Sequence, residues 1–144
     1  MIGPLGIGLA AVVAAIGLLH LAWGLGLRWP GTDEASLAAM VVGRTRGGRM
    51  PSRPLTFLVA AAILAGAALV VAVSARGLPA GLSGLALVGY VAFDLVFLLR
   101  GVAGFVPAVW RYAEGTAFHR LNQLYYSPLC LLIAAGFTAN LLFR

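Results

Sequence analysis

The chain has 144 residues, of which 62% are hydrophobic and only 10% charged, and its mean hydropathy is +1.00. Soluble domains carry about 25% charged residues, so the composition excludes an ordinary soluble domain and points to an integral membrane protein. The net charge is +6 and all ten basic residues are arginine. They sit between apolar runs without a nucleic-acid-binding motif, so they read as lipid-headgroup contacts and orientation signals, and no nucleic-acid partner is expected.

A membrane-crossing helix needs roughly 20 apolar residues. Four segments qualify, at residues 5–27, 55–75, 82–99 and 122–143, and the chain reads as one all-α transmembrane domain, residues 1–144. The first has no basic residues before it and an apolar run longer than a signal-peptide core, so it reads as a retained helix. The second is opened by Pro54 and closed by Arg76; the third holds Asp94 and is closed by Arg100. The fourth reaches full length only if it begins near Asn122 or earlier and bends at Pro128. Cys130 lies inside it and reads as a small packed residue.

Between the first and second spans lie Arg28, Arg44, Arg46, Arg49 and Arg53, and between the third and fourth lie Arg100, Arg111 and Arg120. Only Arg76 and Arg144 fall on the other side, so the positive-inside rule places both long loops in the cytoplasm and both termini outside. Residues 76–81 form a tight Pro/Gly turn, which makes the middle spans antiparallel neighbours. In the first long loop Thr32 or Asp33 caps a short helix through Val42, and residues 43–53 read as flexible and basic. In the second, residues 106–112 read as interfacial, with Trp110 and Tyr112 at headgroup level, as also expected of Trp23 and Trp29. Each half of the chain repeats helix, Arg, basic loop and Pro-opened helix, a pattern of a parallel repeat with little side-chain identity.

Ionisable residues inside a span mark function by default. His20 lies eight residues before Arg28 and Asp94 six before Arg100. A rise of about 1.5 Å per residue puts both roughly 9–12 Å below one interface, where they could meet. Tyr90 and Asp94 share a face of the third span, Trp23 and Gly24 lie near His20, and the small Gly24 admits a neighbouring helix. The fourth span opens with His119, Arg120, Asn122, Gln123, Tyr125 and Tyr126, the densest polar run of the chain. The two adjacent tyrosines point in different directions, so one faces inward. These residues suggest one polar pocket, with Asp94, His20 and His119 as proton donors or acceptors and Trp23, Tyr90, Arg100, Arg120, Asn122, Tyr125 and Tyr126 as its lining. Two His could serve as axial haem ligands, but no spacing favours this, and no metal-ligand spacing is present.

The run Thr116-Ala117-Phe118-His119-Arg120-Leu121-Asn122-Gln123-Leu124-Tyr125-Tyr126-Ser127-Pro128-Leu129-Cys130-Leu131 resembles the signature of a bacterial membrane family, the domain of unknown function 3995. His20-Leu21-Ala22-Trp23 and Trp29-Pro30-Gly31 resemble that family's early His-x-x-Trp and Trp-Pro elements. The resemblance implies four membrane helices across the whole chain, in a bacterial inner membrane. His119 stands where a small residue is usual, Asn122 where an Asp is expected and Gln123 where a Thr is expected, which moves any acid–base role from position 122 to Asp94 and His119.

Three functions fit these observations. The first is an intramembrane enzyme of isomerase or cyclase type, acting by acid–base chemistry on a lipid-soluble, isoprenoid-like substrate without a cofactor. The second is a small proton-coupled transporter or lipid-binding protein, which as a transporter would work as a homodimer. The third is an accessory membrane subunit whose basic loops dock on an acidic partner or anionic lipid.

Overall fold

The structure, a computed structural model, describes residues 2–75 and 79–143, apart from the side chain of Ala80. Its helices are α1 (Pro4–Gly24), α2 (Glu34–Val41), α3 (Arg53–Ser74), α4 (Ala80–Ala103), α5 (Ala117–Leu121) and α6 (Ser127–Phe143). A π-helical turn, Asn122–Tyr126, joins α5 to α6, and 3-10 turns lie at Arg46–Gly48 and Pro107–Ala113. Four stretches are long and apolar enough to cross a membrane: Pro4–Gly24, Arg53–Ser74, Gly81–Ala103 and Ala117–Phe143. The architecture is therefore the expected all-α bundle of four spans. The tight turn expected at residues 76–81 lies partly, and Arg76 and Arg144 wholly, outside the described residues.

Two boundaries differ from the sequence expectation and a third falls on the earlier side it allowed, each for a local reason. The first span ends at Gly24 rather than Leu27 because Gly26 takes φ 106°. That left-handed conformation lets Gly26 N–H reach Trp23 O at 3.0 Å and Leu27 N–H reach Ala22 O at 2.9 Å, a Schellman closure of the helix. The third span does not stop at Leu99 but continues to Ala103, because Arg100 turns its side chain into protein contacts instead of toward water. The fourth begins at Ala117. Pro128 has no N–H for the helix ladder, and the wide turn before it absorbs the mismatch, with Ser127 N–H bonding to Asn122 O.

In the bundle α1 packs most extensively on α3, and α4 on α6; contacts of α3 with α4 and of α1 with α6 close the ring. The two tightest pairs are those joined by the long loops, so the packing divides the chain where the weak sequence repeat does. Val13, Val70, Tyr90 and Phe137 are fully buried along the axis. Gly24 is covered by the ring of Phe57, the close approach expected there. At the end of the bundle away from the long loops, Asn140 Nδ2 donates to Ser74 Oγ and Tyr90 Oη, both at 3.0 Å, and Tyr90 Oη donates to Phe137 O at 2.8 Å. This buried network links α3, α4 and α6 in a core where apolar side chains offer no directional bonds.

The long loops meet at the other end, hereafter the loop end. Asp33 caps α2 as expected, accepting Ser36 N–H at 2.7 Å, while Ser36 Oγ accepts the Asp33 N–H at 3.0 Å. Two hydrogen bonds tie residues 43–53 to their surroundings: Met50 N–H donates to Glu34 Oε1 at 3.1 Å and Arg44 donates to Glu114 O at 3.0 Å. Tyr112 Oη and Tyr126 Oη donate across the gap to Val42 O and Met40 O, each at 3.1 Å. The loops thus brace one another over the bundle.

The Asp33 cap has a pH signature. The Ser36 N–H and then the Ser36 hydroxyl hold the Asp33 carboxyl below its usual range, and the Arg28 charge adds to this. A lowered folded pKa means the cap is complete above the ordinary carboxylate range and fades as pH falls through the lowered value. Hydrogen exchange at the Ser36 amide is expected to quicken in Asp33→Ala at neutral pH, and in the wild type only under strong acid. Equal protection in variant and wild type would contradict the cap.

Candidate functional site

Arg100 organises the loop end. Its Nη2 donates to Asn122 Oδ1 at 2.7 Å, its Nη1 faces Ser127 Oγ at 3.5 Å, and its guanidinium lies 4.6 Å above the Trp110 ring centroid. Asn122 is 1% exposed; it also accepts from Ser127 Oγ at 3.2 Å and donates to Gly104 O at 3.1 Å. Trp110 Nε1 donates to Ala103 O at 2.7 Å, and its ring packs on Phe118 at 5.2 Å. Trp110 is therefore held against the bundle by both its ring and its N–H. Position 104 must be glycine for this packing, since a Cβ there would overlap Ser127 Oγ.

The other sequence candidates are dispersed. His20 Nδ1 donates to Ile16 O at 2.8 Å on its own helix, and its ring lies 4.8 Å from Trp23. Asp94 accepts from Thr138 Oγ1 at 2.8 Å, on the groove between α4 and α6. The two do not meet. The packing also offsets them: Leu64 covers Gly17 and Phe93 covers Gly66, which sets His20 about one turn nearer the loop end than Asp94. Tyr90 belongs to the Asn140 network at the opposite end. Tyr126 faces inward and Tyr125 is 62% exposed, the division expected of adjacent tyrosines on a helix. Arg120 is exposed. His119 is half-buried, and its Nδ1 is buried without a hydrogen-bond partner, as is Thr45 Oγ1. Of the proposed lining, then, only Arg100 and Asn122 bond to each other, and their remaining bonds also run to groups of the chain itself. Among the described residues no group of three or more His, Cys, Asp or Glu could hold a metal ion.

A cavity that the sequence did not reveal lies at the loop end between α1, α2 and α3. Its volume is about 140 Å³, and Trp23, Leu27, Arg28, Glu34, Met50, Arg53 and Thr56 are among its walls. The Schellman turn ends α1 at one wall, the capped α2 forms the second, and the start of α3 forms the third. Trp23 is pinned there by its Nε1 bond to Trp29 O at 2.8 Å. The signal available in the sequence was modest: Arg28 and Arg53 each stand at the loop-side boundary of an apolar span.

A helical bundle with four membrane-crossing stretches and a cleft at the ends of two of them defines a polytopic membrane protein. The family model described as protein of unknown function DUF3995 matches residues 13–137, and the chain belongs to that family. No curated protein and no solved structure matches the chain significantly.

Proposed function

We propose that the chain is a lipid-binding protein of the bacterial inner membrane that holds one amphiphile by its head in the cleft between α1, α2 and α3. The observation that carries this reading is the cleft's position: it opens where two apolar spans end, with Trp23 and Leu27 beside Arg28 and Arg53. Pockets that enclose a drug-sized molecule run to about 300–1,000 Å³. A volume of about 140 Å³ suits a headgroup whose chains stay in the bilayer. By the arginine count the loop end faces the cytoplasm, which makes the cleft a site of the inner leaflet.

Native mass spectrometry of the protein in mild detergent tests this. The wild type is expected to retain one lipid per chain, and Met50→Trp, which fills the cleft without changing charge, to lose it. Equal retention by both proteins would overturn the reading.

Acid–base catalysis on a lipid-soluble substrate is the second reading, favoured by one observation: His119 Nδ1 is buried with no hydrogen-bond partner among the described residues, so no structural bond accounts for it. Lipid profiles of membranes holding the wild type or His119→Ala, at equal protein level, test it; identical profiles count against it.

A further inference from the structure

We infer that the head held in the cleft is a phosphate gripped by Arg28 and Arg53, an inference that rests on the lipid-binding reading. Both arginines line the cavity, and neither guanidinium makes a hydrogen bond among the described residues, although the Arg28 charge also acts on Asp33. Arg100 shows the contrast, since its guanidinium is served by Asn122, Ser127 and Trp110. A guanidinium is a planar fork of donors whose geometry matches phosphate oxygens in pairs.

The nearby carboxylates are otherwise engaged. Glu34 spends one oxygen on Met50 N–H at 3.1 Å, which holds the loop in place, and Asp33 lies outside the cavity wall with its carboxylate bonded to Ser36, reaching Arg28 only through charge. The cavity wall itself carries Arg28, Arg53 and Glu34, a net single positive charge that matches a phosphodiester. Trp23 and Leu27 give the apolar side against which a glycerol backbone and acyl chains can lie.

The test compares wild type with the double variant Arg28→Gln/Arg53→Gln, titrated with phosphatidylglycerol and with diacylglycerol of the same chains. Both arginines are exposed, so the variant's unfolding midpoint is expected to stay close to the wild type and serves as the folding control. Single-copy phosphatidylglycerol binding is expected to weaken about tenfold or more in the variant, with partial recovery in Arg28→Lys/Arg53→Lys. The wild type is expected to prefer phosphatidylglycerol to diacylglycerol, and the variant to lose that preference.

Undiminished phosphatidylglycerol binding by the variant, or equal binding of diacylglycerol by the wild type, would overturn the phosphate grip while leaving a lipid site in place. No retained lipid in the wild type, with Met50→Trp without effect, would overturn the lipid-binding reading itself. A third arm adds inorganic phosphate. Resistance of the bound lipid to it supports a phospholipid headgroup, whereas displacement shows that a soluble phosphate occupies the same grip and overturns the lipid as its source.

Discussion

Replacing Asn122 with Leu is expected to cost the folded bundle about 3 kcal/mol, a fall in thermal midpoint on the order of 10 °C. Asn122 is buried and joins three groups: it accepts from Arg100 and Ser127 and donates to Gly104 O. Leucine fills similar space but strands a guanidinium and a carbonyl where water is scarce, and an orphaned buried polar group costs more than its bond was worth. Asn122→Asp is expected to fall between the two. Its carboxylate pairs with Arg100 but cannot donate to Gly104 O, so one carbonyl is left unserved. The measurement is dye-monitored thermal unfolding in one detergent. A midpoint for Asn122→Leu within about 2 °C of the wild type would show that the Arg100 cluster contributes little.

The second large effect is expected from Gly104→Val. A Cβ at position 104 would overlap Ser127 Oγ and lie 2.5 Å from Ser127 Cβ, and Ser127 is fully buried where α6 begins. Neither backbone can yield without parting α4 from α6, so a loss of about 3 kcal/mol or failure to assemble is expected. Gly84 is the control, with nothing within 4 Å of a Cβ built there, and Gly84→Ala is expected to be close to neutral. Gly104→Ala combined with Ser127→Gly is expected to recover much of the loss, because the colliding atoms are gone. A Gly104→Val protein as stable as Gly84→Ala would contradict the close approach of these helices.

Much of the bundle was legible because the bilayer imposes a length on apolar segments, and Pro54, Asp33 and the Arg-bounded runs punctuate them. What failed to show was which face of each span turns inward. In a membrane bundle both faces are apolar, so hydrophobic periodicity marks no core. Leu85 and Val88 of α4 are as apolar as the buried Val70 of α3, yet they lie 71% and 67% exposed.

The interior is marked instead by small and uncharged polar residues. Ser74 and Asn140, neither of them ionisable, bond to each other, and Asn140 also bonds to Tyr90. Arg100 misled in the opposite sense. A charged residue at the end of an apolar run signals a boundary, but here Asn122, twenty-two positions later, gives it a partner inside the protein. That pairing depends on how α4 meets the start of the fourth span, which no local pattern encodes. The dispersal of His20 and Asp94 has the same origin, since residue counts to an interface give depth along a helix and say nothing of its rotation or tilt. The cleft is a product of tertiary packing, assembled from the end of one span, a loop helix and the start of another.

The most direct test of the account is photocrosslinking with a phospholipid carrying a diazirine near its headgroup, followed by peptide mapping of the adducts. The account predicts adducts concentrated on residues 23–28 and 50–56, reduced in Met50→Trp. Adducts spread evenly over the lipid-facing surfaces of α4 and α6, at Leu95 and Leu132 as often as at Trp23, would contradict a specific lipid site in this cleft.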